Sequence, residues 1–282
     1  DSSSSRGLGD VYKRQEMKGS EDADSKDADE VLTIEEASRK LRSPMLSFSN
    51  TDMAFKDNLL VAGSYHGFNI YELQDNGIPN LITSVVCPGG QGDVSVVGNI
   101  LIMSVEETRG RVDCGLDGVG PDASPERFRG IRIFDISNIK KPKQVGAVQT
   151  CRGSHTHSVV AGPTADNKII VYNSGTGRVR EEDELDGCIG NIAGDTRTAY
   201  FSIDVIEIPI NDPASSRIVS SPRVFADNDK GIIAGLWRGG DHGDGTQDTR
   251  PTNQCHDITV FPSAGIAAGA CSGNGILFDI SD

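Results

Sequence analysis

Three of the five histidines stand beside hydroxyl or acidic residues where recurring segments begin. Residues 154–158, SHTHS, open one segment, and residues 255–258, CHDI, open another. Alignment of the segments puts His157 and His256 in one column. The following column holds Asp52, Asp93, Ser158 and Asp257.

Imidazole and carboxylate groups suit Zn, Cu or Fe, so the alignment predicts a divalent transition-metal site. Its candidate ligands are His157, His256, His155 and Asp257. A structural interpretation stays open, because Asp or His at a strand start also ties a connecting loop to the backbone.

A second polar group lies in the glycine-rich run at residues 239–245, GGDHGDG. Asp/Gly spacing is compatible with Ca²⁺ binding, but the run lacks the EF-hand pattern and is also typical of a Gly-Asp turn. With residues of the other long loops it forms a predicted binding face. The binding-face candidates are Asp52, Asp93, Glu106, Arg109, Arg238, Asp241 and His242. The sequence contains no nucleophile elbow, phosphate loop or HExxH, so no catalytic residue is predicted.

The composition excludes some partners. The formal net charge is −14 and the sequence pI is about 4.8. An acidic chain repels nucleic-acid phosphates and anionic membrane surfaces, which argues against both. No apolar run approaches the roughly 20 residues that a membrane-spanning helix needs. A protein or a small-molecule ligand remains as the partner class.

From residue 50 onward, apolar and polar residues alternate with the period of β-strands. The alternation defines groups of four short strands, which we label a to d in chain order. We predict groups at residues 49–87, 91–150 and 155–225 and an incomplete group at 255–282. Four-stranded repeats with loops of variable length are typical of a β-propeller. The predicted fold is therefore all-β, a propeller fragment of about four blades, with a β-sandwich as the alternative. The absent strand d indicates that further blades follow.

The chain before the repeats has a different character. Residues 1–15 resemble translated sequencing-adapter sequence, and residues 16–32 are rich in acidic residues and serine. We expect residues 1–32 to be artefactual or disordered. Thr33 and Glu36 form a capping box, which predicts a short helix over about residues 34–42 and a linker to residue 48.

The repeat resembles one bacterial family. Strand c carries the pattern Gly-(Ile/Phe)-x-Ile-(Phe/Tyr)-(Asp/Glu), and the stretches RFRGIRIFDIS, QTCRGSHTHS and GNGILFDISD surround it or open the next group. These stretches resemble the LVIVD-repeat propellers of bacteria, and among them an exported subgroup, over about residues 45–282. The resemblance implies a propeller and a secreted, periplasmic or cell-surface location. It implies no established activity.

Loop length indicates one end of the predicted propeller as the functional end. The b–c insertions at residues 106–129 and 174–199 and the d–a insertion at 226–254 leave an up-and-down blade on the same face. Extended loops on one side of a rigid scaffold are the usual place of a binding site. We therefore predict an exported scaffold that binds its partner through this face. The alternatives are a metal-dependent enzyme with His157 and His256 at the channel mouth, and a purely structural surface protein.

The six cysteines are expected on the same face, where disulfides would pin the long loops. Cys255 and Cys271 should be neighbours across strands a and b, so we favour that bridge. The other pairings stay open among fifteen connectivities, with free thiols or a Cys-ligated metal as alternatives. The remaining cysteines are Cys87, Cys114, Cys151 and Cys188.

Overall fold

A computed structural model describes residues 49–190, 192, 195–224, 226–227, 232–233, 243–244 and 252–281. Within these residues the chain is all-β and consists of antiparallel sheets that follow one another along the sequence. The predicted disordered segment, the helix over residues 34–42 and its linker lie outside the described residues. No helix in the described part of the chain is long and apolar enough to cross a membrane.

Three four-stranded sheets and a three-stranded sheet form the body of the molecule. Sheet 1 consists of β1 (Asn50–Lys56), β2 (Leu59–Ser64), β3 (Gly67–Leu73) and β4 (Pro79–Val86). Sheet 2 consists of β5 (Val94–Val97), β6 (Ile100–Val105), β7 (Gly130–Asp135) and β8 (Lys143–Gln149). Sheet 3 consists of β9 (His157–Ala161), β10 (Lys168–Asn173), β11 (Asp204–Pro209) and β12 (Arg217–Ser220). After the short hairpin β13 (Ala226–Asp227) and β14 (Ile232–Ile233), sheet 4 consists of β15 (Cys255–Phe261), β16 (Ile266–Cys271) and β17 (Asn274–Asp279). Single 3₁₀ turns occupy Pro213–Ser215 and Pro262–Ala264.

The observed strands agree with the predicted alternation to within a few residues. The sequence predicted strand c of the third group from residue 202, whereas β11 begins at Asp204. The hairpin of β13 and β14 lies in the predicted loop at residues 226–254. Strands of two residues are too short to show a period of two, so they could not be predicted from the alternation.

Consecutive sheets pack face to face through alternate residues of their strands. Val61 and Ile70 of sheet 1 pack with Leu101 and Met103 of sheet 2. The next residue along β6, Ile102, faces sheet 3 instead, because neighbouring side chains of a strand point to opposite faces. Burial on both faces explains why β6 reads as a continuous apolar run rather than an alternating one.

The remaining interfaces repeat this arrangement. Ile133 of sheet 2 packs against Ile169 and Ile206 of sheet 3, and Ile203 near the start of β11 packs in one cluster with Ile258 of sheet 4. The first strands of the four sheets lie beside one another in the order β1, β5, β9 and β15. Each sheet therefore has its first strand on a shared inner side.

Steric crowding explains why glycine occupies the first position of strand c, the third strand of a sheet. Gly67 at the start of β3 has φ +136°, and Gly130 at the start of β7 has φ +143°. A Cβ atom at either position would come within 2.1 Å of a carbonyl oxygen on the neighbouring fourth strand, that of Val85 or Val148. Only glycine fits where a positive φ and such close backbone approach coincide.

All cysteines in the described residues are paired. Cys87 after β4 is bonded to Cys114 in the loop between β6 and β7. One sheet later, Cys151 after β8 is bonded in the same way to Cys188 in the loop between β10 and β11. The third bridge, which the sequence favoured, joins Cys255 of β15 to Cys271 of β16. Two disulfides thus fasten a long loop of one sheet to the end of the preceding sheet.

Candidate functional site

The long loops and the segments that enter the first strands meet at one end of the sheets. The amide of Gly177 donates to the carbonyl of Arg152 at 3.0 Å, and the amide of Phe201 donates to that of Asn253 at 3.0 Å. We call this region the loop-bearing end. It comprises residues 87–93, 106–129, 150–156, 174–190, 195–203 and 252–254.

Acidic side chains at the inner strand starts join each sheet to the next. The Asp52 carboxylate accepts a hydrogen bond from the amide of Val94, at 2.9 Å, where β5 begins. One sheet later, the Asp93 carboxyl accepts from the amide of His157, also at 2.9 Å, where β9 begins. The sequence left open that Asp at a strand start ties a connecting loop to the backbone. In the structure these carboxyl groups do bind backbone amides, but the amides belong to the first strand of the following sheet.

Hydroxyl groups take over this role between sheets 3 and 4. The Thr156 hydroxyl donates to the carbonyl of His256 at 3.0 Å and lies 3.4 Å from a carboxylate oxygen of Asp257. The Ser158 hydroxyl donates to the carbonyl of Ile258. The aligned column of Asp52, Asp93, Ser158 and Asp257 is thus a column of contacts between first strands.

Asp93 holds a proton at neutral pH. Burial, the hydrogen bond that the protonated carboxyl donates to Asp52, and the charges of Asp52 and Asp257 together raise the pKa of this carboxyl from 3.8 to about 8, against the hydrogen bond from the His157 amide. Two carboxyl groups in hydrogen-bond contact retain one proton between them, because two negative charges so close repel each other. The protonated Asp93 carboxyl therefore lies in hydrogen-bond contact with Asp52 on the inner side.

His157 is a buried neutral imidazole. Its side chain is fully enclosed, with Nδ1 3.1 Å from the Asp93 carboxyl and 2.9 Å from the Ser104 hydroxyl. The Ser104 hydroxyl is itself 2.8 Å from that of Ser154. Burial lowers the pKa of His157 to about 4, against the opposing charge of Asp52. The ring therefore belongs to a buried hydrogen-bond network between sheets 2 and 3.

His155 lies at the loop-bearing end and is partly buried. Its Nδ1 is 2.6 Å from a carboxylate oxygen of Glu106, and the Thr176 hydroxyl lies 3.5 Å from the same oxygen. The hydrogen bond that the His155 ring donates to Glu106 raises the pKa of His155, aided by the charges of Glu106 and Asp257 and opposed by burial. The His155 ring packs against the exposed ring of His256, with centroids 4.3 Å apart at 55°.

The structure changes the predicted grouping of the histidines. His157 and His256 share a column of the repeat, yet His157 is buried while His256 is exposed. The cause is a register shift between Cys255 and Asp257, which leaves His256 without a partner residue in the ladder and redirects its side chain. The imidazoles that come together are those of His155 and His256.

Within the described residues, this arrangement does not provide a complete set of metal ligands. Among the described residues, no group of three or more His, Cys, Asp or Glu side chains is arranged to hold a metal ion. His155 is engaged by Glu106 and His157 by Ser104 and Asp93. The divalent-metal and Ca²⁺ assignments stay predictions from the sequence.

The other binding-face candidates divide into two groups. Arg109 lies at the loop-bearing end, where its guanidinium pairs with the Glu107 carboxylate at 3.0 Å. Arg238, Asp241 and His242 lie outside the described residues.

A buried ion triad fixes the two long b–c loops to each other. Glu184 accepts from Arg127 at 2.7 Å and from Arg180 at 2.5 Å, and the three side chains are at most 7% exposed. The Glu184 carboxylate also accepts the amide of Ser124 at 3.1 Å. The loops between β6 and β7 and between β10 and β11 therefore share one charged core.

Three further arginines are buried without a carboxylate partner in the described residues. Arg132 lies over the Phe128 ring, 4.2 Å from its centroid, and Arg152 lies over the Tyr200 ring at 4.6 Å. Arg129 donates to the carbonyls of Arg178 at 3.1 Å and Arg152 at 3.2 Å. Burial lowers the pKa of each of these arginines to about 10, so all three stay charged at neutral pH.

These arginines were not identified from the sequence. Lone arginines are usually solvated, and the backbone carbonyls that these three contact lie about 20 residues or more away along the chain, as between Arg132 and Val112. The available signal was the run Arg127-Phe128-Arg129-Gly130, in which arginines flank an aromatic residue beside the glycine that opens strand c.

A small cleft opens beside Arg152. It has a volume of about 200 Å³, between the segment after β8 and the loop before β11. Arg152, Arg223, Asp204 and Ser221 are among its lining residues. Burial raises the pKa of Asp204, while hydrogen bonds from Ser221 and Asn173 lower it. The cleft offers both donors and acceptors to a small polar ligand.

Comparisons with known proteins give little further information. No family model and no curated protein matches the chain. Among solved structures, it is similar to hydrazine synthase of Kuenenia stuttgartiensis, with 9% identity over 79% of this chain and a TM-score of 0.40. The chain spans 44% of that protein. It is also similar to the computationally designed proteins Ika4, at 10% identity over 83% of this chain and 92% of that chain, and Ika8, at 12% over 82% and 71%. Their TM-scores of 0.36 and 0.30, like that of hydrazine synthase, are too low to support an argument about fold or function.

Proposed function

We propose that the protein is an exported β-propeller of the LVIVD-repeat type that binds a partner through the loop-bearing end. Support for a propeller comes from the face-to-face order of the sheets and from the neighbouring positions of β1, β5, β9 and β15. Support for export comes from the three disulfides, because such bonds persist in oxidising compartments.

One observation carries the assignment of the binding end. Two disulfides fasten a long loop to the end of the preceding sheet, and the triad around Glu184 holds two long loops of different sheets together. The opposite end carries turns as short as Asp57–Asn58 and Gly98–Asn99. A surface that is already ordered loses less conformational freedom on binding, and loops held by a rigid scaffold are the usual carriers of function.

The chemistry at the loop-bearing end and at the adjoining starts of β1 and β15 favours a ligand with hydrogen-bond donors or positive charge. Glu106, Asp257 and Asp52 supply carboxylate groups, and His256 supplies an exposed imidazole. The formal charge of −14 attracts cationic partners over a longer range. A cationic or hydroxyl-rich group on a protein or on a small molecule meets these requirements.

The test is photo-crosslinking from two exposed positions at opposite ends. A photoreactive amino acid at Thr108 reports on the loop-bearing end, and the matched control at Lys141, in the turn between β7 and β8, reports on the other end. Each protein is exposed to the secreted and envelope fraction of its source organism.

We expect adducts from Thr108 that decrease when Glu106→Gln and Asp257→Asn are introduced together. Adducts of equal yield from Lys141, or adducts that do not respond to this double substitution, would show that the partner binds elsewhere.

A further inference from the structure

The cleft beside Arg152 lies between two segments that are fixed to each other. One segment is residues 149–152 after β8, and the other contains residues 185–187 in the loop between β10 and β11. The disulfide between Cys151 and Cys188 joins these segments, and the amide of Arg180 donates to the carbonyl of Cys151 at 2.9 Å. A cleft whose walls are already fixed loses little conformational freedom when a ligand enters it.

The positive charge in this cleft is not fully compensated. Arg152, Arg197 and Arg223 are among its lining residues, and Arg197 pairs with the carboxylate of Asp195 at 2.8 Å. Arg152 and Arg223 have no carboxylate partner among the side chains that the structure describes, and Arg152 is only 6% exposed. A buried charge without a counterion costs free energy, so a ligand with a negative charge is favoured here.

Arg223 is held in place and still offers hydrogen-bond donors. Its guanidinium donates to the carbonyl of Thr198 at 3.1 Å, to that of Ser221 at 3.4 Å and to that of Arg197 at 2.8 Å. These contacts use three of the five N–H groups that a guanidinium carries. The others have no acceptor in the part of the chain that the structure describes. An oxyanion that accepts from them would form charge-assisted hydrogen bonds, which are about twice as strong as neutral ones.

The other lining residues suit an anion with a short hydrocarbon part. Asp186 is exposed, so solvent screens its charge. Asp204 is engaged by the Ser221 hydroxyl, which donates to its carboxyl group at 2.7 Å. Leu185 and Ile218 line the cleft as half-buried apolar side chains and provide a surface for hydrocarbon.

We propose that this cleft is a binding site for a small organic carboxylate. Arg152 and Arg223 compensate the charge of the ligand, and its hydrocarbon part lies against Leu185 and Ile218. The volume of about 200 Å³ is sufficient, since a cavity of about 150 Å³ holds benzene. The net charge of −14 does not prevent binding, because charges more than about 8 Å away are largely screened at physiological ionic strength.

The carboxylate site is separate from the partner binding proposed above. Glu106, Asp257 and His256, which favour a cationic or hydroxyl-rich partner, are not among the residues that line the cleft. The loop-bearing end therefore combines two sites of opposite charge preference, and each can be tested without the other.

The experiment is a titration of the full chain with butyrate, followed by ligand-observed NMR. Butyramide is the matched uncharged probe, because it has nearly the same shape without the negative charge. We expect saturable binding of butyrate and no binding of butyramide at the same concentrations. Equal binding of the two probes would overturn the proposal. Inorganic phosphate that displaced butyrate at a lower concentration than the butyrate present would show a site for inorganic anions and would also overturn it.

Two substitutions test the residues. Arg223→Gln should weaken butyrate binding about 10–100-fold, because it removes charged hydrogen-bond donors. The control Arg217→Gln changes an exposed arginine of β12 that pairs with Glu207 at 3.0 Å and should leave the affinity unchanged. Asp204→Asn should bind butyrate at least as tightly as the wild type, because it removes only negative charge, whereas a cationic ligand would lose its partner there. Circular dichroism establishes that each variant is folded.

Unchanged affinity in Arg223→Gln, or loss of butyrate binding in Asp204→Asn, would overturn the assignment. The comparison of butyrate with butyramide needs no substitution and stays decisive if a variant does not fold. Adducts from Thr108 in a protein that binds no butyrate would leave the proposed function standing without the carboxylate site.

Discussion

Replacement of Asp93 by asparagine should remove one pH-dependent contribution to the free energy of unfolding. The Asp93 carboxyl has a pKa of about 8 in the folded protein and an ordinary value of 3.8. Between these values the folded state binds one more proton than the unfolded state. Stability from this group is therefore complete below about pH 4 and is lost as pH rises to 8. The slope is about 1.4 kcal/mol per pH unit, or about 3 kcal/mol between pH 5 and pH 7.

Asparagine imitates the protonated carboxyl group. Its amide oxygen can accept from the His157 amide, and its NH₂ group can donate to Asp52, as the carboxyl does in the structure. The Asp93→Asn variant should therefore gain stability relative to the wild type as pH rises. Contributions from His155 and His157 are present in both proteins and largely cancel in the difference.

The assay is urea unfolding followed by circular dichroism at pH 5, 6, 7 and 8. Asp166→Asn is the control, because hydrogen bonds from Lys168 and Thr164 lower the pKa of that exposed carboxyl. Its difference from the wild type should stay constant over this range. If the Asp93→Asn difference were equally constant, Asp93 would be ionised throughout, and the assignment of a buried, protonated Asp93 carboxyl would be refuted.

Three further predictions concern the loop core, the sheet interfaces and His155. Glu184→Gln should lower the free energy of unfolding by about 3–5 kcal/mol, because it leaves two buried arginines without their carboxylate. Asp195→Asn, which breaks a pair whose arginine is 73% exposed, should cost about 0–1 kcal/mol; equal costs in urea unfolding would contradict the buried triad. Ile133→Ala should cost about 2–5 kcal/mol in the same assay, because it opens a cavity between sheets 2 and 3, and a cost near zero would contradict that packing. NMR titration should give His155 a pKa above 6.5 that falls in Glu106→Gln, and an unchanged titration there would contradict their contact.

The alternation of apolar residues allowed most of the fold to be predicted. Leu101 and Ile102 lie side by side in the sequence and serve opposite interfaces, which is what a strand buried on both faces requires. The bridge between Cys255 and Cys271 was also predictable, because both residues lie on adjacent strands of one hairpin. The other two disulfides join segments from different sheets, and strand periodicity contains no information about such distant pairs.

The candidate site was harder to predict, because its details depend on single-residue irregularities and on burial. Alignment of the repeats placed His157 and His256 in one column. An alignment does not reveal the register shift at His256, which changes the direction of its side chain. The Asp93 carboxyl is protonated because of its surroundings rather than its position in the repeat. Arg132 occupies a strand position where the sequence alone does not reveal full burial over an aromatic ring.

Peptide mapping under non-reducing conditions tests most directly the claim that the loops of successive sheets form one ordered loop-bearing end. The protein is digested without reduction, and disulfide-linked peptides are identified by mass spectrometry. The expected linked pairs are Cys87 with Cys114, Cys151 with Cys188, and Cys255 with Cys271. A bond between Cys87 and Cys151, a bond between Cys114 and Cys188, or a free thiol at any of these positions would contradict the arrangement of the loops.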